Sequence, residues 1–98
     1  MYALAIIRYR KPLDQVLRVV DSHRAYLASL KEQGILLASG PLDPRNGGAL
    51  LLRLPDDAID ETLLAVRDND PFVKENVAQY ELLPWAPVIG KESLDQLK

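Results

Sequence analysis

Residues 35–54 read ILLASGPLDPRNGGALLLRL. Two aliphatic runs, ILLASGPL and GALLLRL, flank a segment in which Asp43, Pro44, Arg45, Asn46, Gly47 and Gly48 follow one another. Short apolar runs bounded by Gly, Pro, Asn and Asp are the mark of strands, and an Asn-Gly pair can supply the positive φ angles of a tight hairpin. The segment is therefore expected to form two adjacent antiparallel strands with Asn46-Gly47 at the turn. What flanks that hairpin decides the fold.

Upstream, YALAIIRYR is rich in β-branched and aromatic residues and closes before Pro12, which predicts a first strand over residues 2–9. From Leu13 the period becomes helical: Leu13, Val16, Val20, Leu27 and Leu30 recur on one stripe and Gly34 supplies a stop, so a helix is expected over about residues 13–33. Downstream, Pro55 ends the hairpin and Asp56 or Asp57 can cap a second helix running through about Arg67. AQYELLPWAPV, residues 78–88, reads as a last strand whose prolines suit an edge, and KESLDQLK as a short terminal helix or a frayed tail.

The order β-α-β-β-α-β is that of a ferredoxin-like α+β domain, an antiparallel sheet with both helices on one face. In the first strand Tyr2, Leu4 and Ile6 alternate with Ala3, Ala5, Ile7 and Tyr9, so both faces are apolar, and ALLL in the third strand is equally two-sided. Two helices cover one face only. An apolar second face calls for a ligand or a second subunit, and a homodimer joined through the sheet faces is expected.

Composition narrows the function classes. With 98 residues and 48% hydrophobic positions, the chain suffices for one domain, residues 1–98, without metal or disulfide staples. It has no cysteine, so a disulfide framework and a thiolate metal site are both out, and a reducing compartment is the default. The apolar run in MYALAIIRYRK is too short to span a membrane and lacks the basic start and small-residue cleavage site of a leader, so a soluble, unexported, cytoplasmic protein is expected. The net charge is -2 with Lys and Arg scattered, which leaves no footprint for nucleic acid.

The single histidine, His23, lies at roughly 60° from Val20 and 20° from Val16 on a helical wheel, at the edge of the apolar stripe. One reading is a boundary residue satisfied by a carbonyl. The other uses its ordinary pKa of about 6.5, which lets it take and return a proton near neutral pH. Asp70 precedes Pro71 and fits the N-cap of a short helix; its carboxylate can serve the free N–H groups there or orient an imidazole. Ser39, Gly40 and Pro41 form a strand end at which a small hydroxyl beside bare backbone lets a ligand approach, or simply a turn. Arg24, on the inward side of the helix, can snorkel or hold an anion. Asp14 and Asp43 have no metal-ligand spacing with His23, so no metal site is expected. Phe72, the only phenylalanine, is expected to be buried.

Taken together, HRAYLASLKEQGILLASGPL (residues 23–42) and DNDPFVKENVAQYELLPW (residues 68–85) resemble the YciI-like, or YCII-related, family of the dimeric α+β barrel superfamily. The resemblance implies a ferredoxin-like subunit that dimerises through its sheets around a cleft holding His23 and Asp70, with Ser39 in its lining. Similarity to a dehydrochlorinase and to muconolactone isomerase-type barrels implies acid-base chemistry on small ring compounds. Many relatives carry Arg where this chain has Val20, so an anion contact is missing here or moved to Arg24. Relatives often carry Gly where this chain has Asn76, the next-best residue for a left-handed backbone. The combined reading is a small enzyme of lyase or isomerase type, working without a cofactor: His23 transfers the proton, Asp70 orients it, and Ser39, Gly40, Pro41 and Arg24 bind the ligand. The alternative is a non-catalytic small-molecule-binding or accessory dimeric domain. A cavity holding His23 beside Asp70 would favour the enzyme.

Overall fold

The computed structural model describes residues 1–97. The two-sided alternation of the first strand becomes the centre of the sheet: β1 (Tyr2–Tyr9) pairs antiparallel with β3 (Gly47–Arg53) on one side and with β4 (Ala78–Trp85) on the other, and β2 (Leu36–Pro41) extends the sheet beyond β3. The strand order β2-β3-β1-β4 is that of the ferredoxin-like α+β fold. Pro84 sits in β4, an edge strand, where its missing N–H costs no ladder bond.

Register sorts the side chains. Ala3 lies opposite Leu52 and Pro84, Ala5 opposite Leu50 and Leu82, and Ile7 opposite Gly48 and Tyr80, so these residues share the face that the helices cover. α1 (Leu13–Leu17) brings Val16 to that face, α2 (Val20–Glu32) brings Leu27 and Leu30, α3 (Ile59–Asp68) brings Leu63 and Val66, and α4 (Pro71–Lys74) brings Phe72. All of these belong to one buried cluster. Each large member contributes roughly 1.5–3 kcal/mol through burial.

Several local expectations are corrected. The first helix is not continuous over 13–33: it breaks at Arg18-Val19, where the Val19 N–H bonds Val16 O at 3.0 Å in a tightened turn. Tandem β-branched Val19 and Val20 are poor helix formers at that point. The end is as expected, with Gly34 at φ +79. The second helix begins at Ile59, with Ala58 at its N-cap and no side-chain cap; Asp56 instead accepts from the Met1 amine at 2.8 Å. The last strand stops at Trp85, short of residue 88. Asn76 adopts φ 58, the left-handed value that Asn tolerates.

The hairpin forms, but not by the expected turn. A five-residue connection, Leu42 to Asn46, joins β2 to β3, and neither Asn46 nor Gly47 has a positive φ. Gly47 is required for a different reason: a Cβ there would lie 1.9 Å from the carbonyl oxygen of Ile7. The strands approach too closely for any side chain.

The other face of the sheet carries Leu4, Ile6 and Leu51, half-buried, with Leu83 and Trp85 each 39% exposed. Its far end is not open. α5 (Lys91–Asp95) folds back across it: the Tyr2 hydroxyl donates to Asp95 Oδ1 at 2.6 Å, and the Arg53 guanidinium donates to the carbonyls of Leu94 and Leu97. No helix among the described residues is long and apolar enough to cross a membrane.

Gly47→Ala should destabilise the domain by about 1–3 kcal/mol or more, since a Cβ there meets backbone that cannot swing aside. Gly48→Ala, whose Cβ would sit 3.0 Å from Gly40 O, should cost less. Urea midpoints of the two variants check the order.

Candidate functional site

The site grows from one helix terminus. Asp70 has extended backbone at the N-cap of α4, Pro71 occupies the first helical position, and the Asp70 carboxylate accepts the Phe72 N–H at 2.9 Å. The expected capping role is therefore present. The same carboxylate is fully buried and accepts two further donors: His23 Nδ1 of α2 lies 2.8 Å from Oδ1 and 2.9 Å from Oδ2, and the Tyr80 hydroxyl of β4 bonds Oδ2 closely. One carboxylate thus ties α4, α2 and β4 together. The carboxylate caps the helix and contacts the imidazole at once.

His23 is 8% exposed and stacked on Phe72, ring centroids 3.8 Å apart and planes 4° from parallel. Phe72 is 2% exposed, and Tyr9 meets it edge-on at 6.0 Å and 88°. The imidazole is fixed in its plane by aromatic contact and in rotation by the Nδ1–Asp70 bond. With a carboxylate accepting at Nδ1, the neutral ring carries its proton there and leaves Nε2 with a free lone pair. No buried side-chain nitrogen or oxygen among the described residues lacks a partner, and no protein group bonds Nε2. Nε2 is therefore the accessible edge of the ring.

That edge borders a cavity of about 220 Å³ between α2 and the sheet, walled by His23, Arg24, Ser39, Arg45 and Phe72 among others. The structure brings His23, Ser39, Gly40, Pro41 and Arg24 to this one cavity, with Asp70 directly behind the histidine. Ser39 reaches it because β2 places it opposite Leu50, on the helix-covered face. A larger recess of about 740 Å³ opens at the other end of the sheet between Tyr2, Trp85 and α5, remote from His23. The catalytic candidates do not touch it.

Sequence reasoning missed two side chains of this site, Tyr80 and Arg45. Tyr80 had a legible signal: in β4 it alternates with Ala78 and Leu82 on the inward side, where a buried phenol needs an acceptor. Arg45 had none, because its loop looked like a turn and nothing else. Tyr26 of α2 stands nearby, donating to Val66 O at 2.8 Å. Burial, and then the Asp70 charge, push its phenol up to about 12; burial and Asp70 raise Tyr80 further.

The pH consequence has a definite sign. A phenol whose folded value lies above the ordinary one of 10.0 favours the folded state while neutral. That contribution is complete below pH 10 and is lost as pH rises through about 12. Stability by chemical denaturation should therefore fall across that window. Tyr26→Phe should flatten the fall without abolishing it, since Tyr80 contributes with the same sign.

Comparison with known proteins agrees with this architecture. The curated proteins contain no match to this chain. Among solved structures, 5-chloro-2-hydroxyhydroquinone dehydrochlorinase from Burkholderia phenoliruptrix, in complex with 2,5-dihydroxybenzoquinone, superposes with a TM-score of 0.73 over 90% of this chain and 96% of that one at 24% identity. The two share a fold. The YCII-related domain profile matches residues 1–86, and the chain belongs to that family.

Proposed function

We propose that the protein is a small acid–base enzyme of lyase or isomerase type acting on a small organic compound, ring compounds included, with His23 as the proton-transfer group. The observation that carries this reading is the pairing of a buried Asp70 with His23 Nδ1 at 2.8 Å while the opposite edge of the imidazole faces a cavity. In this reading Nε2 takes a proton from a carbon or hydroxyl of the ligand, and the electron pair moves into a conjugated oxygen. The imidazolium that forms is stabilised by Asp70. The proton then returns at another position, which isomerises the ligand, or the electron pair expels a leaving group as its anion and the imidazolium gives its proton to solvent, which completes an elimination. Ser39, whose hydroxyl has no partner among the described residues, donates to the developing oxyanion, and the backbone at Gly40 and Pro41 lets the ligand approach. The dehydrochlorinase whose fold this chain shares acts on a hydroquinone ring, which supports the choice of class. The cavity also fits the ligand: about 150 Å³ suffices for benzene, so about 220 Å³ holds one small substituted ring.

The test uses 5-chloro-2-hydroxyhydroquinone and 2,5-dihydroxybenzoquinone as probes, following chloride release from the first and deuterium wash-in at the ring C–H positions of the second. Wild type should accelerate at least one. His23→Ala should lose roughly 10²–10⁴-fold, as removal of a general base does. Asp70→Asn should lose activity while keeping the helix cap. Its amide NH₂ would donate to Nδ1 and move the ring proton to Nε2, a change that ¹⁵N ring shifts report directly. Full activity in His23→Ala would end the acid–base reading and leave the non-catalytic binding domain.

We infer also that the protein works as a homodimer, because Leu4, Ile6, Leu51, Leu83 and Trp85 form an apolar face that one chain leaves partly exposed. Sedimentation equilibrium at micromolar concentration should give the dimer mass. Leu51→Glu, in the centre of that face, should shift the equilibrium to monomer, and a wild-type monomer would refute the assembly.

A further inference from the structure

The His23 cavity is lined by two arginines that come from different elements. Arg24 comes from α2, one residue after the histidine, and Arg45 comes from the loop between β2 and β3. Neither takes part in any ion pair or side-chain hydrogen bond among the described residues; the same holds for Arg10 and Arg18, which do not line the cavity, whereas Arg8, Arg53 and Arg67 have partners. No carboxylate lines the cavity. Asp70 is fully buried behind the imidazole and saturated by three donors, and the acids closest along the chain, Asp21 and Asp43, are absent from the walls. The shallow groove of about 300 Å³ that continues past Arg24 and Ser39 between α2 and β2 adds one more charged side chain, Lys31, again a cation. Every ionic wall group that has no protein partner is positive.

We propose that Arg45 is a specificity-determining residue that, with Arg24, selects a small organic anion, a ring compound bearing a carboxylate or an ionised enolic or phenolic oxygen. The inference rests on the reading of this cavity as the ligand site and adds the charge of the ligand. Two arginines lining one small cavity put positive charge beside any ligand held there, and an anion can form charge-assisted hydrogen bonds with them, the stronger kind. An acidic group held at the cavity mouth places the ring of the ligand inward, against the accessible edge of His23. The polarity matches the chemistry: an enolate or phenolate formed by proton transfer to Nε2 develops negative charge in a cavity whose ionic walls are already positive. Because Arg45 sits on a loop rather than on the packed helices, it can vary between chains without disturbing the His23–Asp70 pair.

The test compares three probes that share a ring and differ in charge: benzoate, benzyl alcohol and benzylamine, followed by NMR shifts of the His23 ring and of the arginine Nε–H groups. Benzoate should bind saturably and move both sets of signals, and the neutral and cationic probes should bind about tenfold or more weakly. Arg45→Ala should weaken benzoate about tenfold and leave benzyl alcohol unchanged, and Arg45→Lys should restore part of the loss. Salt should weaken the wild type more than Arg45→Ala. Equal affinity for benzoate and benzyl alcohol, benzoate binding unmoved by Arg45→Ala, or no saturable benzoate binding would each overturn the proposal. The readout is separate from turnover. If benzoate selectivity holds while the quinone probes show no catalysis, the anion site stands and the acid–base reading falls. If the enzyme acts on neutral compounds as well as on anions, the reverse is true.

Discussion

A fully buried carboxylate governs this molecule. An isolated charge at such a site would cost several kcal/mol in lost hydration, and it persists only when surrounding donors replace the water. Asp70 finds a backbone N–H from its own helix, an imidazole from α2 and a phenol from β4. Two of those donors lie on the neighbouring elements α4 and β4, and the third comes from a distant part of the chain, His23 and Asp70 being separated by 47 positions. The carboxylate therefore does for the helix layer what register does for the sheet: it fixes how α4 and α2 sit relative to β4. Removing any one donor leaves the charge under-served, so the three positions are coupled in stability whatever their part in chemistry.

The same arrangement explains why the imidazole is so constrained. Phe72 follows Asp70 by two positions, and the short helix that Asp70 caps turns the phenyl ring face-on to His23. One tight turn thus supplies both the hydrogen-bond partner and the stacking platform. In a family member that merely needed a packed core, aliphatic residues in place of both the imidazole and the carboxylate would fill the space without the cost of a buried charge. The buried polar pair is a stability expense that the fold offsets, which is the pattern expected where a side chain is held for use.

Much of this was legible from sequence, because patterns of period two and period 3.6 report the burial that the sheet and helices enforce. The Gly34 stop and the Asp70 cap each follow from one residue's own conformational chemistry, and the left-handed Asn76 from the Gly that relatives carry there. What escaped was whatever depends on a neighbour distant in the chain. The composition of Asn46-Gly47 points to a tight turn, yet Gly47 is dictated by the Ile7 carbonyl of another strand. The break at Arg18-Val19 lies where the apolar stripe continues unbroken, so periodicity alone could not see it. Arg45 looked like loop filler because nothing local distinguishes a wall of a cavity from a solvated turn.

The cavity itself follows from that close approach. β1 and β3 come together at Gly47 because no side chain stands between them, and Gly48 beside it meets the Gly40 carbonyl of β2 in the same way. Bare backbone at this end of the hairpin removes the side chains that would otherwise fill the volume beneath α2. His23 is directed toward that volume by Asp70 on its far side, so the imidazole edge meets open space rather than packing atoms. At the opposite end of the sheet and on its other face, Tyr2 pairs with Arg53 and Trp85, and α5 folds onto Tyr2 and Arg53. The backbone of Gly40, Gly47 and Gly48 thus lines the cavity, and Gly47 is fixed there by its approach to the Ile7 carbonyl.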